Sequence, residues 1–237
     1  MNLQLCSPYK KCPFNCPMCI AATDDGEVNN VFNLFEAEPF EYMKRVLEAT
    51  INKDAVVITG DTEPTLFPEW ISKMLKLLSL VDYNGKIELQ TKNYNLDYFL
   101  HDWANNGLTT VAYSATCPKD IDRIIEMMKS HSSYCKTRLV VLLTKENIDH
   151  LFHKIDIPRD FNWINEITFK VLQDPDCEKA KEVVNRIKEY DENKFALILQ
   201  ILREFTNCSI KVDTNCMDAE GRYEILRING VIYNSWF

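Results

Sequence analysis

Residues 12–19 read CPFNCPMC and place three cysteines, Cys12, Cys16 and Cys19, at the spacing C-x3-C-x2-C. Beside the plain reading as unrelated thiols, three chemistries compete for cysteines this close in sequence. A structural zinc site is usually closed by four ligands. The nearest fourth candidate, Cys6, falls six residues upstream inside an apolar run, and no histidine is close. A disulfide framework suits an exported chain with paired cysteines. This sequence has nine cysteines and opens MNLQLCSPYKKC, without the basic-then-apolar layout of a signal peptide. The remaining reading is a [4Fe-4S] cluster, because three thiolates then leave one iron without a protein ligand. An open position on a metal is where chemistry is done, as at catalytic zinc.

Such a loop needs a scaffold, and the sequence describes one. Short apolar runs rich in β-branched residues occur at Asn2–Cys6, Ala55–Thr59, Lys86–Thr91, Thr109–Ser114, Thr137–Leu143 and Glu166–Leu172. Amphipathic stretches separate them near Pro39–Asn52, Pro68–Val81, Leu96–Asn105, Lys119–Ser130 and Asn147–His153. Alternation at this spacing predicts right-handed βαβ units and a mostly parallel sheet. Runs such as AVVIT and RLVVLL are apolar throughout, as strands covered on both faces should be. Six units are too few to close an eight-stranded barrel. The expected fold class is therefore α/β, an open partial (β/α)6 barrel with parallel strands, spanning residues 1–173.

After Leu172 the alternation breaks. Two helices are expected at Cys177–Tyr190 and Glu192–Phe205, then SIKVD, then a hairpin of Tyr223–Ile228 and Val231–Tyr233 turning at Asn229-Gly230. Residues 174–237 thus read as a C-terminal helix and hairpin extension that caps the barrel. Its aromatic end, with Tyr223, Tyr233, Trp236 and Phe237, should dock at the substrate end of the sheet.

The cysteine loop follows the first strand, where open α/β sheets and barrels carry their sites. C-x3-C-x2-C in that place resembles the signature of the radical S-adenosylmethionine (SAM) superfamily. The end of the second strand, VVITGDTEPTL at Val56–Leu66, resembles the family's TGGGEPTL segment. The resemblance implies a [4Fe-4S] cluster on Cys12, Cys16 and Cys19, with SAM chelating the open iron. It implies that Glu63, with Gly60 and the backbone of Asp61 and Thr62, holds the SAM ammonium, a sound pairing of carboxylate and cation. Thr91 and Ser114, at the ends of the third and fourth strands, fall where the family places SAM-contacting polar side chains. Met18 and Val171 fall where it contacts adenine. Met18 stands where the family usually has an aromatic, and Asp61 and Thr62 replace two glycines.

The activity so implied is reductive cleavage of SAM to a 5′-deoxyadenosyl radical, which abstracts hydrogen from a substrate. The electron would come from a reductase or a flavodoxin-type donor. A net charge of −8, with no long basic run, argues against an extended nucleic-acid groove. No run of about 18 apolar residues is present to span a membrane, and a cytoplasmic setting is expected. The tail loosely resembles the C-terminal parts of the molybdopterin-precursor cyclase and viperin branches, which act on nucleotides. A small-molecule or nucleotide substrate is thus favoured over the partners of activases or peptide-modifying members. The competitor from another class is an iron–sulfur electron carrier or sensor, which usually holds its cluster with four cysteines on a compact fold. The histidines His101, His131, His150 and His153 read as structural, and Cys177, Cys208 and Cys216 lack the close spacing of a second cluster.

Overall fold

The structure, a computed structural model, describes residues 1–14, 16, 32–60, 62–130, 134–171, 189–213 and 223–234. The chain forms an open, mostly parallel α/β sheet of the partial-barrel kind, with a C-terminal hairpin. It divides into two compact units. One comprises Met1–Asn15, Cys19–Val111 and Met217–Phe237, and the other Cys16–Met18 and Ala112–Cys216.

In the first unit β1 (Asn2–Cys6) lies between β2 (Ala55–Thr59) and β8 (Tyr223–Leu226), parallel to both. β3 (Lys86–Thr91) continues the parallel run beyond β2, and β9 (Ile232–Tyr233) pairs antiparallel with β8. Three bounds, those of β1, β2 and β3, are the ones read from the sequence. Leu3, Leu5, Val56, Ile58 and Leu89 project to one face of the pleat and are fully buried. The helices of this unit are α1 (Leu34–Ala37), α2 (Pro39–Thr50), α3 (Pro68–Leu80) and α4 (Asp97–Asn105). They supply Tyr42, Val46, Trp70, Ile71, Met74, Leu75, Leu78 and Trp103 to the core. Proline at the first position opens α2 and α3, where its missing N–H costs nothing. α2 stops at Thr50 because Ile51 is extended and Asn52 adopts φ 60°.

The hairpin forms at the expected Asn-Gly. Gly230 adopts φ 76°, and the Asn229 side-chain oxygen accepts from the Val231 amide at 3.0 Å. The Arg45 guanidinium donates to the Gly230 carbonyl, and the Leu34 amide to that of Ile228, which fasten the turn to α1 and α2.

In the second unit β5 (Lys136–Leu142), β6 (Glu166–Lys170) and β7 (Ser209–Asp213) run parallel in that order. β4 (Thr110–Ala115) precedes them in sequence. The SIKVD segment, which the sequence left unplaced, is β7, and its Val212 sits opposite Phe169 of β6. The helices are α5 (Pro118–Ser130), α6 (Lys145–Lys154), α7 (Ile157–Asp160) and α8 (Glu192–Phe205). Asp191 caps α8 by accepting from the Asn193 and Lys194 amides. Lys194 then bonds Asp149 of α6, and Phe195 meets Phe169 edge-on at 5.0 Å. β4, β5 and β6 differ from their sequence bounds by one or two residues, the usual uncertainty at strand ends. Of the expected helix Cys177–Tyr190, residues 177–188 lie outside the described residues, as do Cys216, His131, Trp236 and Phe237.

Candidate active site

Three strand ends converge at the C-terminal side of the first unit. Where β1 ends, the Ser7 amide still donates to the Thr59 carbonyl at 2.9 Å, so the pairing with β2 runs one step past the strands. Gly60 lies against this step. A Cβ there would stand 2.7 Å from the Ser7 hydroxyl oxygen and 3.2 Å from its amide nitrogen, so the first glycine of the motif is needed for close backbone approach. The Ser7 hydroxyl is buried and has no hydrogen-bond partner among the described residues.

The second motif is bonded to the chain just ahead of the first. The Thr62 hydroxyl donates to the carbonyl of Lys10, two residues before Cys12, and Thr62 itself is buried. Thr62 thus anchors the chain ahead of Cys12 to the turn after β2. Cys12 and Cys16 are half-buried thiols outside any disulfide. Cys19, Met18 and Asp61 lie outside the described residues.

Glu63 is 5% exposed. Its Oε1 accepts from the Thr65 amide at 3.1 Å, the Thr65 hydroxyl at 2.7 Å and the Thr91 hydroxyl at 2.6 Å. Its Oε2 accepts from the Lys92 amide at 2.9 Å. The local sequence explains this geometry, since Pro64 opens a 3₁₀ turn, Pro64–Leu66, for which Glu63 is the N-cap. A carboxylate offers about four acceptor sites. Three donors crowd Oε1 and one meets Oε2, so Oε2 keeps acceptor capacity for a cation. Thr91 turns its hydroxyl to Glu63 rather than leaving it open, and that oxygen also accepts from the Asn93 amide at 2.8 Å. The Asn93 side chain donates to the Thr65 hydroxyl at 3.1 Å and closes the ring of contacts. Sequence reasoning missed Thr65 and Asn93. The available signal was a threonine two residues after Glu63, in the turn beyond β2, and an asparagine two after Thr91, just past β3. Nearby, burial pushes the Tyr42 phenol far up, with Cys6 adding to the effect and Trp70 opposing it, so Tyr42 stays neutral.

In the second unit Ser114 is the penultimate residue of β4 and is half-buried. Val171 follows β6, and its amide donates to the Asp213 carbonyl at 3.0 Å. Arg138 is ion-paired with Glu166 at 3.4 Å, and His150 bonds Asp122 at 2.7 Å, in keeping with a structural histidine. Among the described residues no group of three His, Cys, Asp or Glu side chains is arranged to hold a metal ion. No helix among them is long and apolar enough to cross a membrane.

A mostly parallel, open α/β sheet, with the chain before Cys12 bonded to a buried carboxylate turn, defines a protein of the partial-barrel class. The radical SAM superfamily profile matches residues 6–165, and the chain belongs to that superfamily. It is a superfamily of enzymes that act through SAM cleavage and typically use an iron–sulfur cluster. No curated protein is significantly similar to the chain.

Proposed function

We propose that this protein binds a [4Fe-4S] cluster through Cys12, Cys16 and Cys19 and acts on a small-molecule or nucleotide substrate. The observation that supports this reading is the hydrogen bond from Thr62 to the Lys10 carbonyl, which ties the chain two residues before Cys12 to the turn that carries Glu63. Two members of the donor set, Cys12 and Cys16, are half-buried thiols outside any disulfide, which suits the group, and Glu63 retains acceptor capacity at Oε2. When bound, the cluster would supply the electron that cleaves SAM to methionine and a 5′-deoxyadenosyl radical, drawn from a reductase or flavodoxin-type donor.

The protein's own part is to bind, orient and exclude water. Glu63 takes the SAM ammonium as a charge-assisted acceptor. Gly60 lets the backbone approach, Asp61 and Thr62 offer main-chain groups, and Thr91, which also holds Glu63, contacts SAM from the end of β3. Met18, Ser114 and Val171 complete the SAM contacts. Residues 1–173 form the radical SAM core and 174–237 an extension that caps it. Leu226 opposite Leu5 sets the hairpin turn at the C-terminal end of β1, which supports a place for it in the pocket wall.

Iron content and absorbance of anaerobically purified protein test the assignment. About four irons per chain and a brown colour are expected. Each of Cys12→Ala, Cys16→Ala and Cys19→Ala should abolish the colour, and Cys117→Ala and Cys135→Ala should keep it. Colourless protein with one tight zinc would overturn the assignment.

A further inference from the structure

An exposed sheet edge is a template for another chain, and proteins blunt it with charge. β7 ends the sheet in the second unit and presents an exposed lysine, Lys211. β9 ends it in the first, and residues 231–234 carry no charge. The Arg227 amide donates to the Val231 carbonyl at 3.1 Å, so these two form a bonded pair of the hairpin. Bonded and non-bonded pairs alternate between antiparallel strands, which makes the next pair, Leu226 with Ile232, a non-bonded one. The amide and carbonyl of Ile232 therefore point away from β8, out of the sheet, and meet no partner among the described residues.

Beside this edge lies a cavity of ≈530 Å³ between α2 and the hairpin, within the roughly 300–1,000 Å³ usual for a recognition site. Leu226 pairs with Leu5 on one side and Ile232 on the other, so Leu226 and Ile232 share the face that the helices cover. Buried Leu226 and Ala49 form the floor, and Ile51, Val231 and Ile232 form a rim that is 65%, 44% and 46% exposed. Three acidic and two basic side chains also line it, a net charge of −1. Both cations are paired within the lining, Arg45 with Glu41 at 3.0 Å and Lys53 with Glu224 at 2.7 Å. The acid left over is Glu48, whose contact with Lys44 is long, 3.8 Å, and mostly exposed.

We infer that the β9 edge and the groove beside α2 form a docking site for an extended segment of a partner protein, which adds to the sheet as a strand. The segment exchanges backbone hydrogen bonds with Ile232 and turns one face into the groove, where apolar side chains flank a lysine or arginine directed at Glu48. From Glu41 to Glu48 the wall runs about 10 Å along α2, the length of about three extended residues. A second copy of β9 is not the complement, because residues 231–234 bring no cation to Glu48. The site goes beyond the proposed function and needs neither cluster nor SAM.

The test uses the full chain and the amidated peptide Thr-Val-Thr-Lys-Thr-Val-Thr, labelled with fluorescein, whose Val, Lys and Val share one face of a strand. Fluorescence anisotropy should show saturable binding, about three- to tenfold weaker when glutamate replaces the lysine. Glu48→Gln should remove most of that difference. Ile232→Pro deletes only an N–H that points out of the sheet, a change edge strands tolerate, and should weaken binding about tenfold. A peptide with every amide N-methylated should lose binding in the same way, whatever the fold of the proline variant. No binding, binding that survives N-methylation, or a preference for lysine that is absent or unchanged in Glu48→Gln would overturn the inference. So would sedimentation of the free chain as a dimer that Ile232→Pro dissociates, since the edge then belongs to a second copy.

Discussion

Thr91→Val is the sharpest perturbation of the candidate site. Thr91 is 3% exposed and donates to Glu63 Oε1 at 2.6 Å. Valine keeps the shape and the β-branching, so no cavity forms. What is lost is a buried hydrogen bond to a charged acceptor, which contributes about 1.5–3 kcal/mol. The Asn93 amide also loses its acceptor, but it is only part-buried and regains water. We expect a net destabilisation of about 2–3 kcal/mol. Thr91→Ser keeps the hydroxyl and removes one methyl, for about 1 kcal/mol. Strand propensity and burial alone rank the variants the other way, with valine at least as good as serine. Urea unfolding followed by circular dichroism, on both variants at equal m-value, decides the order. A valine variant as stable as the serine variant would falsify the account of Glu63 as a carboxylate held by its strand-end neighbours.

Asn93→Ala removes the donor to Thr65, which in turn holds Glu63. It should raise the dissociation constant for SAM about three- to tenfold by calorimetry, with Asn93→Ser restoring part of the loss, and a variant binding SAM as tightly as the wild type counts against the network. Gly60→Ala should cost about 1–3 kcal/mol through overpacking against Ser7. The double variant Ser7→Ala/Gly60→Ala should recover a share of that in the same unfolding assay, and strict additivity would place the clash elsewhere. The hydrogen bond from Lys194 holds the Asp149 carboxyl below the usual carboxylate range, against a smaller opposing effect of burial. A carboxyl lowered on folding stabilises above its unfolded value of about 3.9 and ceases to do so as pH falls through the folded value. The stability gap between wild type and Lys194→Met should therefore be present at neutral pH and close below about pH 4, and a gap that is flat with pH would exclude the ion pair as its source.

Much of this architecture is legible in the sequence because strand and helix signals repeat without interruption. β1, β2 and β3 carry runs such as AVVIT, and Pro39 and Pro68 mark helix starts that need no tertiary information. The hairpin is legible for the same reason, since Asn229-Gly230 supplies the left-handed conformation that the turn requires. The placement of the SIKVD strand is not legible. Its Ile210 is only half-buried and its Lys211 and Val212 are exposed, so the pattern is weak, and only pairing with β6 gives it a place. At the site, residue types identify Glu63 but not its environment. Thr91 reads as a strand-end hydroxyl, and nothing in the sequence signals its contact with Glu63 across 28 residues. Asn93 and Thr65 carry no motif of their own, and they matter only because two strand ends bring them together.

The central claim is tested most directly by incubating the reconstituted protein with dithionite and SAM under anaerobic conditions and measuring 5′-deoxyadenosine by chromatography. The account predicts 5′-deoxyadenosine from the wild type, none from Cys12→Ala, and a reduced yield from Glu63→Ala at limiting SAM. Iron-loaded wild-type protein that reduces normally and binds SAM, yet forms no 5′-deoxyadenosine, would contradict it.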